Sequence, residues 1–353
     1  MRGEQWIERD EKHRYDVDIA SGQLLVLDNA GGSLMADVDP AVVWAKEQLG
    51  AHGVSALGEP ALVRAVPWSR VYRFETQEGR FYLKVSAPAF AREAGLIGFL
   101  APRFADAVLP VLAHDADLGA FLMPDGGEPL RVRLKDGYDR DLVCGLLGRY
   151  GRMQQVLATD VDGLLALGLQ DWRMAIFPKF YADLVADEDL LTGEGFTIGE
   201  IDALRKRSAD VHRLCRMLEA FGIPETLEHC DFHDNNVLVR EGKFVINDWG
   251  DAVITHPFFS LASFLDSATR HHGFDPASNL AGDLKRAYFE VWLAQESLDQ
   301  LERILCLVQT LRPLEFCFNF RRVRETTGVE GFQPYMGHIG AALRRFLAML
   351  GQS

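Results

Sequence analysis

Glu228-His229-Cys230-Asp231-Phe232-His233-Asp234-Asn235-Asn236-Val237-Leu238-Val239-Arg240-Glu241-Gly242-Lys243-Phe244-Val245-Ile246-Asn247-Asp248-Trp249-Gly250-Asp251 is the most informative run in a chain of 353 residues. Val237-Leu238-Val239 and Phe244-Val245-Ile246 are rich in β-formers, and the stretch joining them has Glu241-Gly242 at its centre, a hairpin signal. With Glu241 and Gly242 as a two-residue turn, Arg240 faces Lys243. Counting back along both strands sets Asn236 opposite Asn247, with Asp248 one residue further on. Cross-strand neighbours lie about 4.5 to 5.5 Å apart, so an amide oxygen and a carboxylate converge at the open end, spaced as two ligands of one hard cation. Oxygen ligands of this type suit magnesium. Asp231, on the loop entering the hairpin, brings a second carboxylate to the same mouth, able to accept or orient a hydroxyl proton.

Upstream, strand patterning predicts an antiparallel meander of Ala61 to Val66, Val71 to Thr76 and Arg80 to Val85, broken by Pro67-Trp68-Ser69 and Gln77-Glu78-Gly79. A helix is expected from Asp39 to Ala51, with Asp39 as cap and Pro40 at its start, and another from Pro88 to Leu100. A short hairpin is expected around Gln23 to Asp28, and further strand-like pieces at Val108 to Leu112 and Ala120 to Met123. Pro124-Asp125-Gly126-Gly127-Glu128-Pro129 is the densest cluster of chain breakers. It divides residues 1–123, an amino-terminal lobe of helix plus antiparallel sheet, from a helical carboxy-terminal lobe at 131–353, with 124–130 as hinge. The expected class is therefore α+β. Helical patterning runs from Arg131 to Phe221, including a long amphipathic stretch from Ile201 to Ala220, and resumes from Phe258 to the end.

Within that frame, His229-x-Asp231-x-x-x-x-Asn236 followed by Asp248-Trp249-Gly250 resembles the catalytic loop and metal-binding segment of the bilobal protein-kinase-like fold. The wording Asp-Phe-His-x-x-Asn and Asn-Asp-Trp-Gly-Asp-Ala resembles the aminoglycoside phosphotransferase and choline kinase superfamily, whose members are small-molecule kinases. The resemblance implies Asp231 as catalytic aspartate, His229 as a brace of its loop, Asn236 and Asp248 as magnesium ligands, and ATP or GTP as donor. It also implies Lys84, in Arg80-Phe81-Tyr82-Leu83-Lys84-Val85, as the phosphate-holding lysine. Phe90, Glu93, Ile97 and Leu100 share one helical stripe, and a carboxylate on a core-facing stripe needs a cation. The resemblance supplies Lys84 as that partner. An adenine slot is implied at the lobe junction, against backbone groups near Leu122, Met123 and Pro124.

Two departures narrow the reading to small acceptors. The turn Pro67-Trp68-Ser69-Arg70 contains no glycine where protein kinases carry a glycine-rich loop, although Ser69 could donate to a phosphate, and no Ala-Pro-Glu anchor follows Asp248. In the helical lobe, Asp234, Asp251, Asp266, Asp275 and Glu315 are the carboxylates on offer to an acceptor. They fit an amine-bearing compound such as an aminoglycoside, choline or an amino sugar, with a neutral sugar as the alternative. Ser260 stands where relatives often carry an acidic residue.

Bulk composition excludes other classes. Fifty-one acidic against thirty-seven basic residues give a net charge of -14, which disfavours nucleic acid and anionic membrane partners. Cys144, Cys215, Cys230, Cys306 and Cys317 form no C-x-x-C pair, the start lacks a signal-peptide core, and no long apolar run appears. A cytoplasmic protein is expected. Two rivals remain: a metal-dependent hydrolase using His229, Asp231 and His233, with His256 as a fourth ligand, and a nucleotide-binding pseudokinase. The first leaves Asn236, Asp248, Lys84 and Glu93 without roles; the second leaves filled catalytic positions unused.

Overall fold

The computed structural model describes residues 39–351, so the hairpin expected near Gln23 lies outside the described residues. Strands β1 (Ala61–Val66), β2 (Ser69–Thr76), β3 (Gly79–Ser86), β4 (Ala113–Asp115) and β5 (Ala120–Pro124) form an antiparallel sheet in the order β1-β2-β3-β5-β4. Alternation along β3 decides what each face does. Leu83 and Val85 pack with Phe74 and Leu122 against Ala41, Val42, Ala45 and Leu49 of helix α1 (Pro40–Ala51), while Lys84 points the other way, into the cleft between the lobes. Asp39 caps α1 by accepting from the Ala41 amide at 3.0 Å. Its other oxygen accepts from Tyr72 at 2.8 Å and pairs with Arg70 at 3.0 Å, which ties the helix to β2.

Helix α2 spans Glu93–Leu100, shorter than the predicted run from Pro88. The amides of Phe90 and Ala91 are spent on turns to Ala87 and Pro88, so regular helix starts only at Glu93. The segment Val108 to Leu112 is likewise no strand. The Ala107 carbonyl accepts instead from Ile246, and ladder pairing begins only at Ala113.

After β5, Gly126 and Gly127 lead the chain away from the five-stranded sheet. There β6 (Glu128–Pro129) pairs with β9 (Val237–Arg240), itself paired with β10 (Lys243–Ile246). A second small sheet of β7 (Gln170–Asp171), β11 (Val253–Thr255) and β8 (Thr226–Glu228) runs in the order β7-β11-β8. Helices surround both sheets and bury an aromatic core that includes Trp172, Trp249, Trp292, Tyr150 and Tyr288. The predicted Ile201–Ala220 stretch is two helices, Ile198–Lys206 and Ser208–Glu219. Further on, the helical run Leu298–Phe332 is broken at Gly328 (φ 70°, ψ 178°). Among the described residues no helix is long and apolar enough to cross a membrane. The fold is α+β with two lobes and a cleft between them.

Gly127 has φ 105°, and a Cβ there would overlap the Val239 carbonyl. Gly127→Ala combines left-handed strain with a backbone clash against β9. It is expected to destabilise the protein by roughly 1 to 3 kcal/mol, read as a lower urea midpoint at unchanged slope.

Candidate active site

The hairpin predicted from the turn residues forms in the predicted register: Arg240 pairs with Lys243 and Val237 with Ile246. Glu241 (φ 53°) and Gly242 (φ 76°) both take left-handed backbone, as a tight two-residue turn of this type requires. Beyond the ladder, the Asn247 amide donates to the Asn236 carbonyl at 2.8 Å, so these two asparagines face each other at the open end.

The loop before β9 is fixed by its own side chains. His233 Nδ1 accepts from the amides of Asn235 (3.2 Å) and Asn236 (3.3 Å), which makes Nε2 the protonated nitrogen, 3.3 Å from Asp231 Oδ1. The Asn236 side-chain amide donates to Asp231 Oδ2 at 2.9 Å and to the Asp231 carbonyl at 3.0 Å. That orientation turns Asn236 Oδ1 away, with no hydrogen-bond donor on it among the described residues. Between these polar groups, Phe232 is fully buried and stacks on Tyr150 at 4.1 Å, anchoring the loop to the core. His229 is fully buried; its Nε2 donates to the Asn247 carbonyl at 2.9 Å, and its ring lies 4.7 Å from that of Trp249. It thus joins the loop carrying Asp231 to the segment carrying Asp248.

Asp248 holds a left-handed backbone (φ 64°) directly after the hairpin, a strained position that Asp tolerates better than most residues. Lys84 Nζ lies 2.5 Å from Asp248 Oδ1 and 2.6 Å from Glu93 Oε2, while Arg64 reaches Asp248 Oδ2 at 3.5 Å. Glu93, 1% exposed, also accepts from the Trp249 amide at 3.0 Å. A Cβ at Gly250 would stand 3.2 Å from Glu93 Oε2, so a bare backbone lets the turn seat against the ion pair.

Electrostatics follow from this arrangement. Burial alone would lower Lys84, but Asp248 and Glu93 raise it, so it stays charged. Desolvation opposes ionisation of Asp248, yet Lys84 and Arg64 hold it well below the usual carboxylate range. Burial pushes Glu93 up to about 7, against the pull of Lys84. At Asp231, enclosure in the cleft is outweighed by His233, and the carboxyl falls to about 2.

Lys84, Asp231 and Asp248 all line one cavity of about 720 Å³ between the lobes. Ser69 and Ser86 line it too, each with a buried hydroxyl that has no partner among the described residues. Met123, expected at a base slot, lies outside this lining, 8% exposed and paired across the sheet with Tyr82. The hydrolase constellation does not assemble. His229 and His233 spend ring nitrogens on Asn247 and on two backbone amides, and the one group of three convergent ligand types among the described residues is Glu228, Cys230 and Glu315. His256 belongs to a separate small cavity beside Glu225.

Sequence reasoning missed Arg64 and the pairing of Arg131 with Asp234 (2.8 Å), because the partners are far apart along the chain and nothing local marks them. It also missed Glu228, fully buried and accepting from Ser260 at 2.6 Å.

The two lobes enclose one cavity lined by the Lys84–Asp248 couple and by Asp231. The model of the phosphotransferase enzyme family (APH) matches residues 64–300, and the chain belongs to that family. No curated protein matches it in sequence. Solved structures show the same fold. The ethanolamine kinase of Plasmodium vivax is 10% identical over 94% of this chain and 99% of its own, with a TM-score of 0.61. Macrolide 2'-phosphotransferase MphH from Brachybacterium faecium is 18% identical over 86% and 97%, at 0.55. Amicoumacin kinase hAmiN, solved with AMP-PNP, Ca2+ and Ami, is 15% identical over 87% and 93%, at 0.53.

Proposed function

We propose that the chain transfers the terminal phosphoryl group of ATP or GTP to a hydroxyl of a small molecule, using Asp231, Lys84, Asn236 and Asp248. One observation carries the reading: the Asp231 carboxylate opens into the same cavity as the Lys84–Asp248 couple. Its volume suits a small ligand. The relatives named for ethanolamine, macrolides and amicoumacin, one of them solved with a nucleotide analogue and a divalent cation, support it. So does the family membership.

The oxygen donors fit a hard cation: Asn236 Oδ1 is left without a donor, and the Asp248 carboxylate stays ionised. Magnesium held there would neutralise charge on the donor phosphates. Lys84, pre-set by Glu93, steadies those phosphates, and Ser69 is placed to donate to one. Asp231, oriented by Asn236 and His233, aligns the acceptor hydroxyl and takes its proton; His229 keeps the two segments in register. Positioning and charge, rather than covalent chemistry, do the catalysis. In this reading residues 1–123 form the nucleotide-phosphate side, 124–130 the hinge and 131–353 the acceptor side. The five free thiols support a cytoplasmic setting.

A coupled nucleotide-consumption assay with magnesium, over hydroxyl compounds of several charge types, tests this reading. Acceptor-dependent consumption that disappears in Asp231→Ala is expected. Tight nucleotide binding with no consumption across the panel would favour the pseudokinase.

A further inference from the structure

The carboxylates available to an amine-bearing acceptor are already committed. Asp234 pairs with Arg131 at 2.8 Å and lies 2.6 Å from His272 Nε2. Asp251 pairs with Arg322 at 2.9 Å, and Asp266 with Arg345 at 3.1 Å. Asp275 caps a surface turn through the Ala277 amide at 2.8 Å and is not part of the cavity wall. Glu315 is 2% exposed, and its carboxylate lies within 4.8 Å of those of Glu228 and the Cys230 thiol. Burial, with the Glu228 carboxylate beside it, pushes Glu315 far above the usual carboxylate range, against the opposing pull of Arg312.

Two cations in the same wall are left over. Arg312, on the run Leu298–Phe332, and Arg270, on helix Phe258–His272, both line the cavity, and neither has a carboxylate within 4.0 Å among the described residues. Arg312 is half-buried. Its guanidinium is steered by Ser263 Oγ at 2.6 Å, and its Nε is buried with no acceptor. A buried charged donor without a partner is costly, and a guanidinium fork matches a carboxylate or phosphate. Next to this pair, Phe316 and Phe320 stack at 4.2 Å and give the wall an apolar side. Asp231 is the remaining half-exposed carboxylate, and its place is beside the reacting hydroxyl.

We propose, on the basis of the phosphotransferase reading, that Arg312 and Arg270 form an anion subsite, and that the acceptor carries a carboxylate or phosphate group as well as the hydroxyl that is phosphorylated. The site disfavours amines because, apart from Asp231 beside the reacting hydroxyl, the wall's carboxylates are paired or buried.

The test uses the full chain loaded with magnesium and AMP-PNP for binding, and with magnesium and ATP for turnover. Gluconate represents the carboxylate arm, 3-phosphoglycerate and glycerol 3-phosphate the phosphate arm, choline and kanamycin the cations, and glucose the neutral case. At least one anionic arm is expected to raise the melting temperature and to support ATP consumption, while choline, kanamycin and glucose do neither. Arg312→Gln is expected to raise KM for that anion roughly 10- to 100-fold with kcat changed far less, and Arg312→Lys to restore part of the loss. Arg270→Gln, at an exposed position, should weaken the same anion without affecting folding. Preference for choline, kanamycin or glucose overturns the subsite. So does an absence of anion binding, or anion binding that survives both glutamine variants. Anion binding that depends on both arginines without any ATP consumption supports the subsite and removes the transfer reading; consumption with a cation does the reverse.

Discussion

Asp231→Ala is expected to lower phosphoryl transfer about 100- to 10,000-fold while leaving nucleotide affinity nearly unchanged, because the carboxylate acts on the acceptor hydroxyl rather than on the donor. Asp231 accepts from Asn236 at 2.9 Å and faces the Nε2 proton of His233, so its side chain is aimed before any substrate arrives. Asp231→Asn retains an oxygen for the Asn236 amide but cannot take a proton. It should fold normally and lose activity to a similar extent, which separates chemistry from loop collapse. With its pKa at about 2, the wild-type carboxyl is ionised throughout the neutral and mildly acid range. The acid limb of kcat is therefore expected not to track Asp231 above about pH 4, the upper end of ordinary carboxyl titration. Near-full turnover in Asp231→Ala under saturating acceptor would remove its assignment.

The second large effect is on stability. Lys84→Met leaves Glu93, 1% exposed, and Asp248 facing each other without the ammonium that lies 2.6 and 2.5 Å from them. Removing one member of a buried ion pair costs about 3 to 5 kcal/mol, chiefly through the uncompensated charge. The Asp248 share is smaller, because that side chain is 24% exposed. Glu93→Gln should be milder: an amide oxygen can still accept from the Trp249 amide, and Lys84 keeps Asp248. Adding Glu93→Gln to Lys84→Met should recover part of the loss, a non-additivity that urea unfolding of the four proteins measures directly. A Lys84→Met protein within 0.5 kcal/mol of wild type, the usual size of a surface substitution, would show that Lys84 does not offset the charges of Glu93 and Asp248.

What could be read in advance depended on whether the determining interactions were local. The β9–β10 register was legible because Glu241-Gly242 and the flanking β-formers sit within ten residues. Stripe position marked Glu93 as a carboxylate in need of a cation, and the family resemblance, not the local sequence, named Lys84 as its partner. The end of β5 showed in the turn chemistry of Pro124-Asp125-Gly126-Gly127. Other features had no local trace. Arg64 meets Asp248, 184 residues away, and Arg131 meets Asp234, 103 residues away; in sequence each reads as an ordinary charge. Val108 to Leu112 has strand composition, yet only its last amide, Leu112, bonds to the sheet, donating to the Leu122 carbonyl at 2.7 Å, so tertiary context overrode propensity. The acceptor wall was the least legible, because the meaning of a carboxylate there depends on which arginine already holds it.

Titrating AMP-PNP into the wild-type protein and Asp248→Ala, with and without magnesium, tests the central claim most directly. If Asp248 and Asn236 hold the metal that binds the donor phosphates, magnesium tightens the wild-type complex, and most of that gain disappears in Asp248→Ala while the variant remains folded. Equal magnesium-dependent affinity in the two proteins would contradict the assignment.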